Sequence, residues 1–310
     1  SSAASDVYKR QFFACLLRSI GNSTIPLLFL GGAAILNIAL DLLFVLQFHW
    51  GVRGAAAATV IAQALSGAGL AVYTLTAFPQ LRVSKRHLKW DRVILRDIAS
   101  LSLLTCVQQS IMNFGILMVQ GLVNSYGKVF VAGYTAATKI DTLAMLPNMN
   151  ISNAMSSYTA QNIGAGKYDR TDDILRYAIA IGVGFGAVMA LLMQFIAPSM
   201  VRPFTSDEAV VLAGAAYIRS YIFDCLFAGI QFSFSGYFCA WGRSGLSFLH
   251  NTLSILLVRV PGAWLACRFF PQTLVPMGLA PACGSLFSSI VCVLLYRWMK
   301  SQNKPTGNKD

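Results

Sequence analysis

Eight long apolar runs govern what this 310-residue chain can fold into. They lie at about 26–47, 54–76, 98–125, 131–161, 174–200, 209–240, 246–267 and 275–299. A helix needs about 20 predominantly apolar residues to cross the hydrocarbon core of a bilayer, and each run supplies that. The third to sixth runs exceed a simple span, which predicts tilt or bending, with Pro147 and Pro261 as kink positions in the fourth and seventh. The chain is 56% apolar and 12% charged, which excludes a soluble domain of this length. A net charge of +12 does not indicate nucleic acid, because Lys and Arg sit mainly in short segments between the apolar runs. The fold class read here is an all-α polytopic membrane protein.

Basic residues are retained on the cytoplasmic side of a membrane. One set of alternate segments carries Arg18; Arg82, Lys85, Arg86, Lys89, Arg92 and Arg96; Lys167 and Arg170; Arg243; and Lys300, Lys304 and Lys309. The opposite set carries Arg53, Lys128 and Arg202. That split predicts a cytoplasmic C-terminus, a basic cytoplasmic linker over 77–97 and a cytoplasmic tail over 300–310. Residues 1–11 are set aside as a translated sequencing adaptor, because Asp6-Val7-Tyr8-Lys9-Arg10-Gln11 back-translates to a transposon-end sequence.

An internal repeat divides the remainder. Leu17-Arg18-Ser19-Ile20-Gly21-Asn22-Ser23 and the two runs after it echo Ala240-Trp241-Gly242-Arg243-Ser244 and the last two runs. Gly21 falls on Gly242, Ser23 on Ser244, Asn37 near Arg259 and Gly54 on Gly278. Both copies enter from the cytoplasmic side, as in a parallel repeat. The repeat leaves the third to fifth runs and most of the sixth without N-terminal counterparts. It predicts twelve helices in two six-helix lobes, of which 12–76 is the C-terminal part of the N-lobe and 98–299 the complete C-lobe.

Ionisable and amide groups at membrane depth are the candidate functional residues, since a lone charge at the bilayer centre costs at least about 2.5 to 3.5 kcal/mol. Asp224 shares a helical face with Gln231 and Ser235, which makes it a candidate for cation or proton binding; the structural alternative is pairing with Arg219 or Tyr221. Asp141, Asn148 and Ser152 align on the fourth run, with Lys139 pointing elsewhere. Gln109, Asn113 and Gln120 align on the third, beside Gln108. Amides at this depth bond a neighbouring helix or line a water-filled cavity. Asn37 and Asp41 stack on the first run and can bond each other or Arg53; with Arg259 they are read as lobe architecture. Met112, Met145, Met149, Met155, Phe227 and Phe234 are candidates for a cleft that repacks around varied organic cations.

Enzymatic signals are weak. The seven cysteines form no CxxC pair, the three histidines are scattered, and Gly164-Ala165-Gly166-Lys167 lacks the spacing of a phosphate loop. Lys139, Arg219 and Arg259 do not obviously converge, which disfavours a flippase of lipid-linked precursors, the alternative reading. No cofactor or metal is expected.

The segment 17–26, then Asn37-Ile38-Ala39-Leu40-Asp41 and Trp50-Gly51-Val52-Arg53-Gly54-Ala55-Ala56, resemble the fourth-to-sixth helix region of multidrug and toxic compound extrusion (MATE) transporters. Ala132 to Asp141 and Gln161-Asn162-Ile163-Gly164-Ala165-Gly166-Lys167 resemble the eighth helix of that family and the loop after it. The resemblance implies two lobes around a V-shaped cleft, and antiport of organic, often cationic, drug-like compounds against protons or sodium. It further implies a monomer in a bacterial inner membrane. On the helix holding Asp224 some members carry a coupling acid one turn later, where this chain has Ala228, and the acid that other members use for sodium on the third run is absent.

Overall fold

The computed structural model describes residues 2–79 and 91–302, and every regular element among them is helical. Seven helical segments are long and apolar enough to cross a membrane. The fourth run, a helix of 37 residues, is not among them, because Lys139, Asp141 and several amides dilute its apolar character. The chain divides into two units, Ser1–Asp91 and Arg92–Asp310. Most of the basic linker, including Arg82, Lys85, Arg86, His87 and Lys89, lies outside the described residues, as do Lys304 and Lys309.

In the first unit α1 (Ser2–Ser19) and α2 (Thr24–Leu42) both pack on α3 (Gly51–Ala77). Helix α1 starts within the segment set aside as adaptor. A π-helical turn, Leu43–Gln47, extends α2. The core is small: Ala14, Leu17 and Leu70, with Phe13, Phe29 and Tyr73 against them. The Phe29 ring lies over Gly69, where any larger side chain would collide. Ser66 Oγ donates to the Phe29 carbonyl at 3.1 Å, which joins α3 to α2.

The second unit begins with α4 (Arg92–Val123), α5 (Lys128–Gly164) and α6 (Asp169–Val201). It continues through α7 (Glu208–Tyr221), α8 (Phe223–Ala240), α9 (Ser244–Ser254), α10 (Val260–Phe269) and α11 (Val275–Gln302). Helix α8 is central and packs on α5, α6, α9 and α11. Its approach to α6 is backbone against backbone. A Cβ on Gly182 would stand 2.9 Å from the Gly229 Cα, and one on Gly186 would stand 2.7 Å from the Cys225 carbonyl oxygen. Without those side chains the two backbones come close enough to gain dispersion contacts.

Two runs of the second unit depart from a single α-helix, each for a local reason. The sixth run divides at Ile222, where the Cys225 N–H bonds the Ile222 carbonyl at 3.0 Å in a tightened turn. The seventh run carries a π-helical turn, Ile255–Arg259, ahead of Pro261, whose ring has no N–H for the i→i−4 ladder and crowds the preceding turn. It also runs on to Phe269, which places Arg268 in its last turn over the Trp264 ring. Pro147, by contrast, is held inside the uninterrupted α5.

The two glycine turns aligned by the sequence close their helices alike. Gly21 and Gly242 both take positive φ, +86° and +68°. In both, the next residue's N–H reaches back five residues, from Asn22 to Leu17 and from Arg243 to Phe238, each at 2.9 Å. This left-handed glycine cap satisfies carbonyls that the helix end leaves open. Gly166, at φ +70°, closes α5 in the same way.

Candidate functional site

The break at Ile222 places Asp224 in the first turn of α8, where its charge complements the partial positive charge of the helix N-terminus. Its side chain is 2% exposed. The partner is Arg259, at the end of the π-helical turn: Arg259 Nη2 lies 3.5 Å from Asp224 Oδ1 and donates to Ser285 Oγ of α11 at 2.7 Å. Gly284 leaves room for the guanidinium stem, since a Cβ there would meet Arg259 Nε at 3.0 Å and Ser254 Oγ at 3.1 Å.

Asp141 approaches the same pair from α5. Its carboxyl lies within electrostatic reach of both Asp224 and Arg259, with the Tyr221 hydroxyl beside it, and its Oδ1 is buried without a hydrogen-bond partner. Two turns along the same face, Asn148 is fully buried; its amide donates to the Cys225 carbonyl at 3.1 Å, while its Oδ1 is unpartnered. Met145, between them, packs its sulfur 3.9 Å from Cys225 Sγ. Along the adjoining wall Tyr217 stacks on Tyr221 and meets Tyr134 edge-on. Asp224 is ion-paired with the guanidinium, and Asp141 lies within its electrostatic reach without a direct ion pair. When both acids are ionised the group carries one uncompensated negative charge, which a bound proton or small cation would neutralise.

This geometry bears on two expectations. The cation paired with Asp224 is Arg259, not Arg219, whose carbonyl instead accepts from Gln194 Nε2 at 3.0 Å. Arg259 is thereby part of the acid cluster, where sequence reasoning had placed it with the architecture of Asn37 and Asp41. In the first unit Asn37 donates to Thr59 Oγ1 of α3 at 3.4 Å, and Asp41 Oδ1 is buried without a hydrogen-bond partner. Spacing along one helix shows which residues share a face; it does not reveal which residue of another helix meets that face.

The remaining candidates disperse. Gln231 is buried, and Ser235 is hydrogen-bonded to Ser247 of α9. Phe234 and Met155 sit in an apolar core with Phe238 and Met299, as packing side chains. Phe227 is half-buried, and its carbonyl accepts from Ser289. On α4, Gln109 and Asn113 are exposed, while Gln108, Met112 and Gln120 are half-buried. Ser152 is half-buried, and Lys139 and Met149 are exposed. Sequence reasoning passed over Asp172 of α6, which accepts from Tyr237 at 3.2 Å and Tyr296 at 2.8 Å and pairs with Lys300. An acid at the polar end of an apolar run gives no sign of what it will meet. Among the described residues no group of His, Cys, Asp and Glu side chains could hold a metal ion.

Comparisons with known proteins agree with this architecture. The chain is 28% identical over 93% of its length to the "Probable multidrug resistance protein YpnP" of Bacillus subtilis. It is 22% identical, also over 93%, to the "Probable multidrug resistance protein NorM" of Thermotoga maritima. It spans 64% and 63% of the lengths of these two relatives. Among solved structures, it superposes on the Vibrio cholerae MATE transporter VcmN with a TM-score of 0.90 at 19% identity, covering 97% of this chain and 68% of that one. A MATE protein crystallised with MaL6 superposes at 0.87 and 21% identity, covering 95% and 66%. These structural likenesses establish the fold. The MatE family model matches residues 105–265, more than half of the chain and all of the acid cluster except Ser285, so this polytopic membrane protein belongs to the MatE family.

Proposed function

We propose that the protein exports organic, drug-like cations by secondary antiport, and that the Asp141, Asp224 and Arg259 cluster carries the coupling ion. The observation that supports this most is the excess of acid over base at a buried site: Asp224 is paired, while Asp141 keeps a buried oxygen with no donor. A proton would compensate the excess negative charge there, with sodium as the other candidate. Loss or gain of that ion changes the cluster's charge, which supplies the differential interaction an exchanger needs to link two ligands. The relatives named as multidrug resistance proteins support the substrate class. We place the protein in a bacterial inner membrane as a monomer, with its C-terminus in the cytoplasm.

The test is substrate-driven ion movement in liposomes containing the full-length protein. Asp141→Asn and Asp224→Asn should each slow exchange by roughly 100-fold, while substrate binding at equilibrium survives. Wild-type rates in both variants would remove the cluster from the coupling mechanism.

A further inference from the structure

Helices α9 and α11 face each other through polar side chains. On α9, Ser247, His250 and Ser254 recur at i, i+3 and i+7, and all three are buried. On α11, Ser285, Ser288 and Ser289 recur at i, i+3 and i+4, again all buried. The two rows are bonded across: His250 Nδ1 to Ser288 Oγ at 2.7 Å, and Ser254 Oγ to the Gly284 carbonyl at 2.7 Å. At one end the seam reaches the acid cluster, because Arg259 donates to Ser285. At the other, Ser247 is hydrogen-bonded to Ser235, close to the turn between α8 and α9. From Ser247 to Arg259 the helix rises about 18 Å.

Serines that join helices within a membrane are a familiar form of packing, but packing of that kind pairs its polar atoms. Here His250 is 0% exposed and its Nε2 has no partner. A buried imidazole nitrogen without a protein partner calls for a water molecule. Phe238 stacks obliquely on the imidazole from α8, with ring centroids 6.3 Å apart, and Cys292 lies beside Ser288 on α11.

We propose that this seam is a hydrated proton path between the Asp224–Arg259 pair and the α8–α9 end of the second unit, with His250 as its relay. The proposal rests on proton exchange at Asp224. Water delivers a proton to His250 Nε2 as the proton on Nδ1 passes to Ser288 Oγ. The hydroxyl proton of Ser288 moves on to the next water, and the last transfer protonates an Asp224 carboxylate oxygen. Every N–H or O–H bond formed matches one broken, and one proton is taken from the aqueous phase. Reorientation of the imidazole and hydroxyls then restores the file. Arg259 holds Ser285 in line.

Two measurements on the full-length protein test the path. In hydroxyl-radical footprinting, His250 should be several-fold less protected than its equally buried neighbour Phe238, each referred to the unfolded protein. Equal protection would mean a dry seam and would overturn the proposal whichever ion is coupled. In liposomes, His250→Gln and Ser288→Ala should each slow substrate-driven proton flux by at least about 10-fold, with substrate affinity and thermal unfolding unchanged. Ser288→Ala serves as the second variant if the histidine change disturbs folding. Wild-type flux in both folded variants overturns the relay. Absence of proton flux in the wild type overturns the coupling role of Asp224, and the relay with it.

Discussion

A charge buried among apolar helices persists only while its partner does. Asp224 and Arg259 are 2% and 27% exposed, so removing the guanidinium leaves a carboxylate with little water to replace it. Arg259→Met should therefore lower stability by about 3 to 5 kcal/mol. Asp224→Asn in the same molecule should recover most of that loss, because the charge is then gone. Thermal unfolding of the two single variants and the double variant in detergent measures the coupling. Strictly additive losses would show that the two side chains do not act as a pair. Of this cluster, the acids were legible in the sequence, since a carboxylate at membrane depth stands out against its neighbours. The pairing was not. Arg259 is 35 residues from Asp224, and only the packing of α8, α11 and the π-helical turn brings the two together.

At the scale of elements, close helix packing in the second unit depends on glycine at particular positions. Gly182 faces Gly229 across α6 and α8, whereas a Cβ on Gly184, two residues on, would meet nothing within 4 Å. Gly182→Leu should destabilise the unit by about 1 to 3 kcal/mol or more through overpacking. Gly184→Leu should be close to neutral. Thermal unfolding distinguishes them, and equal effects would show that helix propensity rather than the α6–α8 contact sets the cost. The sequence showed both glycines but not which one faced a helix. Helix α5 presents the converse case. It was read as a span from its length and context, although its polar content keeps it from the apolar composition of the other spans. It packs on α7 and α8, and the Asn148 amide donates to the Cys225 carbonyl of α8, a partner that lipid could not supply.

At the scale of the molecule, the proposed orientation is itself open to measurement. With the seven native cysteines replaced by serine, Arg243→Cys and Ser301→Cys should react with an impermeant thiol reagent from the cytoplasmic side, and Lys128→Cys from the opposite side. The reverse pattern would invert the topology. What the sequence by itself determined was the all-helical class, the approximate placing of the apolar runs, the glycine turns that end helices and the candidacy of Asp141 and Asp224. Each follows from local rules: hydrocarbon thickness, backbone self-satisfaction in lipid, and the left-handed conformation that glycine accepts. Only the tertiary structure decided that Arg259 answers Asp224, that Asp141 joins them with an oxygen to spare, that Phe234 is core, and that His250 meets Ser288. Those facts depend on how one helix is rotated against another. Many small packing contacts set that rotation together, and no single stretch of sequence encodes it.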